Sequence, residues 1–224
     1  MLQPRLDALP PPQRQLWPEL RSTPSGFVLY GGTALALRLA HRESEDFDFF
    51  SSDPLDAERL LADVSYLDPA EVVRRAENTL TCLVDRGGPV RVSFFGGLAL
   101  SRVRDPERAA GAGILVASLL DLAATKVQVV QSRASARDYL DVDALVHLSG
   151  IGLSQALGAA AAVHGERFNP VLTLKALTFF GDGDLAAVPG AVRARLADVV
   201  REVDLESVPN LSAQPGLQAS GASS

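Results

Sequence analysis

The chain has 224 residues, of which 47% are apolar, and it carries a net charge of −6 at neutral pH. This length and composition allow one large domain or two small ones. The negative net charge argues against binding nucleic acid over a broad surface, although a local basic patch is still possible. The single cysteine, Cys82, excludes an internal disulfide, and the lack of a signal-peptide pattern or an apolar run of about 18 residues leads us to expect a cytoplasmic protein without membrane contacts.

The first predicted elements form a strand–helix–strand unit. An apolar strand over 27–30 is followed by the turn Gly31-Gly32, a helix over about 33–41 and a strand over 46–50. Asp53 is a favoured N-cap residue and Pro54 suits the first helical position, so a helix is predicted from 54 to about 67.

The middle of the chain predicts further strands. Alternating segments at 80–85 and 90–95 flank the turn signal Arg86-Gly87-Gly88, which is typical of a β-hairpin. Alternation also marks 71–77, and a short strand is expected at 114–116. Cys82 lies in one of these apolar runs and is interpreted as a buried core thiol.

From Ser118 onward the apolar period becomes helical. Ser118 and Asp121 fit a capping box at the start of the first helix, and further helices are predicted over 135–148, 154–164, 170–179 and 190–203. The Pro-, Ser- and Gly-rich residues 207–224 are expected to be disordered. We therefore predict a mixed α/β part over 1–117, a helical part over 118–206 and a tail.

Asp46 and Asp48 are the first candidate functional residues. Residues two apart in a strand point to the same face, so these carboxylates lie side by side while Phe47 and Phe49 face a core. Neighbouring carboxylates repel each other unless a cation lies between them, and Mg²⁺ prefers oxygen ligands together with phosphates. A pair of solvated acids at a strand end is the alternative interpretation.

The stretch Gly31-Gly32-Thr33 is the second candidate. Glycines let backbone N–H groups approach an anion, and the N-terminus of the following helix favours negative charge. An ordinary strand-to-helix turn is the alternative. One short helix joins this turn to the acid pair, so both are expected at the same end of neighbouring strands.

Lys126 is the third candidate, because the chain has 19 arginines and only two lysines. It lies among apolar residues on a predicted helix, where an unpaired ammonium would be costly, so it needs either a phosphate or a carboxylate partner. Snorkelling from the helix edge is the alternative. The charged residues of the next helix, which include Asp138 and Asp141, are equally typical of a solvated, salt-bridged surface.

These motifs together resemble the AbiEii/AbiGii-type nucleotidyltransferases of the DNA polymerase β-like superfamily. The segment GGTALALRLAHRESEDFDFF carries the resemblance, and VRVSFFGG, ASLLDLAATKVQVVQSRASARDYLDVDALV and ALTFFGDGDL extend it over roughly residues 25–185. The resemblance implies an α+β fold, in which a mixed sheet flanked by helices is followed by a helical part that completes the cleft.

The resemblance also implies roles for individual residues. Gly31, Gly32 and Thr33 would hold the phosphates of an NTP. Arg42, which precedes the acid pair, could contact either phosphate or an acidic partner on a neighbouring strand. Asp46 and Asp48 would be catalytic and would ligate one or two Mg²⁺ ions. Lys126 would approach the triphosphate, and Asp138 would belong to a second acidic motif of the catalytic site.

One position departs from the pattern of the superfamily. Its members usually carry a third carboxylate on the central strand, and the corresponding residue here is Ser93. Serine cannot bridge two metal ions as a carboxylate does.

The resulting hypothesis is a Mg²⁺-dependent enzyme that moves an NMP from an NTP to an acceptor hydroxyl. By resemblance it would be the toxin of a toxin–antitoxin pair, with tRNA or another RNA as acceptor and a cognate antitoxin as partner. The alternatives are transfer to a small molecule or a protein hydroxyl and, given Ser93, nucleotide binding without catalysis.

Overall fold

The computed structural model describes residues 1–218 and divides into two compact units. The first contains Met1–Leu100, Asp105–Ser118 and the described residues from Pro215 onward, whereas the second contains Ser101–Arg104 and Leu119–Gln214. The main break follows Ser118, and the sequence led us to expect it after residue 117.

A seven-stranded mixed sheet forms the centre of the first unit, in the order β3-β4-β5-β2-β1-β8-β7. β1 pairs antiparallel with β2 and parallel with β8, and β2 pairs parallel with β5. A separate two-stranded sheet consists of β6 and β9. The strands are β1 (Val28–Tyr30), β2 (Asp46–Phe50), β3 (Glu71–Ala76), β4 (Thr79–Asp85), β5 (Pro89–Phe95), β6 (Ser101–Arg102), β7 (Glu107–Arg108), β8 (Leu115–Val116) and β9 (Gln214–Pro215).

Within residues 1–218, three α-helices belong to the first unit and five to the second. They are α1 (Pro11–Leu16), α2 (Gly31–Leu39) and α3 (Ala57–Asp63), then α4 (Leu119–Val129), α5 (Ala136–Leu148), α6 (Leu153–His164), α7 (Pro170–Leu177) and α8 (Gly190–Arg201). Short 3₁₀ segments cover Leu6–Ala8, Trp17–Ser22, Ser65–Leu67, Gly165–Arg167, Leu185–Ala187 and Leu205–Ser207. The predicted α+β class with a mixed sheet is confirmed.

The alternation along β2 explains the core of the first unit. Phe47 and Phe49 are fully buried, and Phe49 stacks on Phe94 of β5 with ring centroids 5.3 Å apart. Burial of each such ring stabilises the fold by about 1.5–3 kcal/mol. Because these rings hold one face of β2 against the core, Asp46 and Asp48 are placed on the opposite face.

The helix predicted from Pro54 begins three residues later than expected. Asp56, not Asp53, is the N-cap of α3, since its carboxylate accepts the backbone N–H groups of Glu58 and Arg59 at 3.1 Å. Asp53 instead accepts the N–H of Gly97 through its carbonyl at 2.7 Å. This bond fixes the preceding segment as a loop, so local N-cap preference at Asp53 was overridden.

The second unit is built on helix packing. α4 packs against α6 and α5, and α5 also contacts α8. α6 is rich in alanine, and its Ala156, Ala159 and Ala160 are at most 2% exposed. Such small side chains allow neighbouring helices to approach closely, which accounts for the dense packing of α4 on α6.

The expectation of a disordered tail over 207–224 is wrong for the residues up to 218. Leu217 is 1% exposed, and its N–H donates to the Ser52 hydroxyl at 3.2 Å. In the second unit, Pro209 lies against Gly158. The apolar side chain of Leu217 thus anchors this otherwise polar segment to the first unit. Residues 219–224 lie outside the described part of the chain.

Within residues 1–218, no single helix is long and apolar enough to cross a membrane. The bent pair Ala136–Leu148 and Leu153–Arg167, at 117° to each other, meets the length and composition criteria only when the two are taken together.

Candidate active site

Asp46 and Asp48 stand on one face of β2, and both are partly exposed. The neighbouring phenylalanines are fully buried on the other face. The predicted side-by-side arrangement of the two carboxylates is therefore present. Because both remain in contact with solvent, they can accept a cation without prior rearrangement of the core.

Gly31 lies directly against the carboxylate of Asp48. A Cβ atom at Gly31 would be 2.7 Å from Asp48 Oδ2, and Gly31 has a φ of +74°. Only glycine meets both conditions without strain. The first glycine therefore lets Asp48 rest against the start of α2, as expected from the pairing of Tyr30 with Asp48 across β1 and β2.

Arg42 lies above the second glycine. A Cβ atom at Gly32 would be 2.7 Å from Arg42 Nη2 and 2.9 Å from Ser44 Oγ. The guanidinium also donates from Nη1 to the carbonyl of Glu43 at 2.9 Å. A guanidinium beside a helix N-terminus adds positive charge where the helix dipole already favours an anion. The structure thus brings Arg42 to the predicted phosphate turn.

Thr33 is engaged inside the protein. It is fully buried, and its hydroxyl donates to the backbone carbonyl of Asp46. This bond ties the first turn of α2 to the beginning of β2. The hydroxyl therefore positions the acidic strand, whereas its predicted contact with phosphate stays a prediction.

Ser93 occupies the place across from Asp48 on β5. The two residues are register partners in the parallel β2–β5 pair, and Ser93 is 4% exposed. Thr81 on β4 donates its hydroxyl to Ser93 Oγ at 3.3 Å. Two neutral hydroxyls therefore stand where a third carboxylate would complete the acidic site.

Arg91 is the residue at this site whose position sequence reasoning missed. It is the register partner of Asp46, with its Nε 3.6 Å from Asp46 Oδ1. The available signal was the spacing, since Arg91 and Ser93 stand two apart on β5 as Asp46 and Asp48 do on β2.

The residues of this face fit a divalent cation that arrives with phosphates. Among residues 1–218 no group of three or more His, Cys, Asp or Glu side chains is arranged to hold a metal. Mg²⁺, however, is commonly bound through one or two carboxylates together with substrate phosphates and waters. Asp46 and Asp48 would be those two carboxylates, and the α2 N-terminus with Arg42 lies beside them.

Lys126 of the second unit has carboxylate partners. Its Nζ is 2.8 Å from Asp138 Oδ1 and 2.7 Å from Asp141 Oδ2, and its side chain is 9% exposed. Arg133 adds a contact of 2.6 Å from Nη2 to Asp138 Oδ2. The carboxylate alternative left open for Lys126 is the one the structure contains.

The three aspartates of α5 do not lie on a solvated surface. Asp138, Asp141 and Asp143 are 1%, 0% and 8% exposed. Asp143 receives both Nε and Nη2 of Arg195, at 2.9 and 2.5 Å. Buried carboxylates require such partners, and here each has a cation within hydrogen-bond distance. The surface interpretation was therefore wrong for these three aspartates, whereas Arg137 of the same helix is exposed.

A cavity of about 350 Å³ in the first unit lies away from these residues. Its lining includes Phe27, which precedes β1, and Ser51, which follows β2. This is the opposite end of the two strands from Gly31 and Asp46. This cavity is therefore not part of the candidate site, which is defined by its carboxylates and its glycine turn.

The mixed sheet, the paired glycines against an aspartate and the acidic strand define a nucleotidyltransferase fold and site. A crystal structure from H. pylori, provisionally assigned as a nucleotidyltransferase, shares this fold with a TM-score of 0.53 and 16% identity, over 88% of this chain and 94% of that one. An uncharacterised protein of Aquifex aeolicus (strain VF5), aq_aa25, is 29% identical over 158 residues, which cover 70% of this chain and 74% of that protein.

The family model described as the nucleotidyl transferase AbiEii toxin of type IV toxin–antitoxin systems matches residues 21–214. The chain belongs to this AbiEii family, and it is a nucleotidyltransferase. The resemblance inferred from the motifs is confirmed.

Proposed function

We propose that this protein transfers an NMP from an NTP to a hydroxyl of RNA, such as tRNA, in a Mg²⁺-dependent reaction, and that it acts in the cytoplasm as the toxin of a toxin–antitoxin pair with a cognate antitoxin. The observation that carries the proposal is the close contact between Gly31 and Asp48. A Cβ atom at Gly31 would lie 2.7 Å from the Asp48 carboxylate oxygen. This contact joins the anion-binding end of α2 to the acidic strand in one site.

Each part of the site has a distinct task in this reaction. The N-terminus of α2 and Arg42 bind and orient the phosphates. Asp46 and Asp48 would hold the Mg²⁺ ion, which supplies neutralisation of phosphate charge when bound. The acceptor hydroxyl attacks the α-phosphorus and gives its proton to solvent. The bond between the α-phosphorus and the oxygen that bridges it to the β-phosphate breaks, and pyrophosphate leaves with that oxygen.

The hydroxyl at position 93 limits how the acceptor is activated. Ser93 receives its hydrogen bond from Thr81 and is almost fully buried. A neutral serine is a far weaker proton acceptor than a carboxylate, so this position does not supply a general base. Positioning and charge neutralisation therefore carry most of the rate enhancement in the proposed reaction.

Lys126 and Asp138 enter the proposal through the family resemblance. Their mutual contact at 2.8 Å supports a role in which Lys126 holds the Asp138 side chain in place on α5. We also propose, from the family resemblance, that Lys126 and Asp138 take part in binding the nucleotide.

The main alternative is a different acceptor. The net charge of −6 favours a small molecule or a protein hydroxyl over a polyanion such as RNA. Transfer to one of these, with total RNA left unlabelled, would select the alternative.

The test uses the full chain with each of the four α-labelled NTPs, Mg²⁺ and total tRNA. Wild-type protein is expected to label RNA, and Asp48→Asn to lower the rate at least about 100-fold, since it removes a charged ligand of the phosphate-bound cation. Asp48 is partly exposed on the sheet face, so the variant is expected to keep the fold, and a urea unfolding curve checks this.

Glu77→Gln is the matched control. Glu77 is an exposed acid of the same unit, outside the site, and its neutralisation should leave both rate and stability unchanged. The proposal for RNA would be overturned if wild type and Asp48→Asn transferred label at equal rates. It would also be overturned if RNA received no label from any of the four NTPs.

A further inference from the structure

Arg91 and Asp46 form an ion pair on the face that carries the acidic residues. The Arg91 Nε atom is 3.6 Å from Asp46 Oδ1, and the two side chains are 48% and 45% exposed. They face each other because β2 and β5 run parallel with these residues in register. The position of Arg91 is therefore fixed by the sheet and not by a flexible loop.

This pair contributes little to folding. Exposed ion pairs of this kind are typically worth about 0–1 kcal/mol, and a separation of 3.6 Å is longer than that of a good charge-assisted hydrogen bond. Its main consequence is electrostatic, because a fixed positive charge lies next to one of the two carboxylates expected to bind a cation.

The formal charges on β2 and β5 show how Arg91 changes the electrostatics of this face. Asp46 and Asp48 carry two negative charges, Arg91 one positive charge and Ser93 none, which leaves a formal charge of −1 at these four register positions. A third carboxylate at position 93 would have made it −2. A free divalent cation is thus attracted weakly here, while the polyanionic phosphates of a nucleotide are repelled less.

We propose that Arg91 is a positioning residue that makes metal binding depend on the nucleotide. It holds Asp46 and disfavours a free divalent cation, so the cation binds well only when the phosphates of an NTP complete its coordination. This inference rests on the proposed function of the same site and adds an order of binding to it.

The test measures Mn²⁺ binding to the full chain by the EPR signal of free Mn²⁺, with and without an NTP. Arg91→Gln is expected to raise Mn²⁺ affinity in the absence of nucleotide about tenfold, because a neighbouring unit charge shifts ionic equilibria by at least this factor at a partly solvated site. The gain in affinity on adding the NTP should shrink correspondingly. Arg91→Lys should stay close to wild type, since it retains the charge.

Arg74→Gln is the matched control, because Arg74 is an exposed arginine on β3 of the same sheet. The Arg74→Gln variant should bind Mn²⁺ with the affinity of wild type. Unchanged or weaker Mn²⁺ affinity in Arg91→Gln would overturn the inference, as would an equal increase in Arg74→Gln.

Failure of the proposed function would look different. In that case wild type and Asp48→Asn would bind Mn²⁺ equally weakly with every NTP present. Nucleotide-dependent binding in wild type that is lost in Asp48→Asn, but with no gain of nucleotide-free affinity in Arg91→Gln, would overturn only the role of Arg91.

Discussion

The two units contain acidic pairs of the same residue type in opposite surroundings. Asp46 in the first unit has a side chain 45% exposed and a guanidinium at 3.6 Å, whereas Asp138 and Asp141 in the second are 1% and 0% exposed and share the ammonium of Lys126 at 2.8 and 2.7 Å. Burial thus separates their roles. The exposed pair is reached by solvent and has Arg91 beside it, while the buried pair has the ammonium of Lys126 as its counter-ion inside the second unit.

Among substitutions that test the contrast between the two pairs, removal of Lys126 is expected to have the largest effect on stability. Lys126→Met leaves two buried carboxylates without their ammonium, and breaking a buried pair in this way costs about 3–5 kcal/mol. We expect the free energy of unfolding, measured by urea titration, to fall by that amount. Lys175→Met, at the only other lysine, which is exposed on α7, should change it by less than about 0.5 kcal/mol.

Similar stability of the two methionine variants would show that Asp138 and Asp141 do not depend on Lys126, and the contrast between the two units would then lose its basis.

A glycine pair tests the exposed site. Gly31→Ala and Gly113→Ala both place a side chain at positive φ, +74° and +69°, but only at Gly31 would the new Cβ meet an atom within 4 Å, namely Asp48 Oδ2. Both should lose about 1–2 kcal/mol of unfolding free energy from backbone strain. Only Gly31→Ala should also lose NMP-transfer activity, because it displaces Asp48.

Equal activity in the two alanine variants, measured with the labelled-NTP assay, would show that the contact between Gly31 and Asp48 does not matter for transfer.

The pH dependence of stability sharpens the comparison within the second unit. Burial lowers the pKa of His164 and the positive charge of Arg167 lowers it further, against a smaller opposing effect of a hydrogen bond to the backbone of Ala124. Below the unfolded pKa, the unfolded chain therefore binds a proton that the folded chain does not, and stability is lost as the pH falls. The slope for one such group is at most about 1.4 kcal/mol per pH unit.

We expect the unfolding free energy of wild type to fall more between pH 7 and pH 5 than that of His164→Leu, which lacks the titrating group. Parallel pH profiles for the two proteins would contradict the assigned effect of burial on His164.

Local patterns predicted much of the first unit. The alternation around Phe47 and Phe49 gave β2 its correct bounds, and the turn at Gly87-Gly88 lies between β4 and β5 as expected. These elements depend on neighbouring residues, so their signals are contained in short windows. The start of α3 was missed because the bond between Asp53 and Gly97 comes from a distant segment.

The sequence alone determined which residues could form the site and which face of β2 would carry the carboxylates, because side chains alternate strictly along a strand. For Lys126 it indicated either an anionic partner or a side chain that snorkels from the helix edge. Only the tertiary structure decided that this partner is the buried pair on α5, and that Arg91 and Ser93 stand beside Asp46 and Asp48. Strand register and helix packing join residues far apart in the chain, and no local preference specifies them.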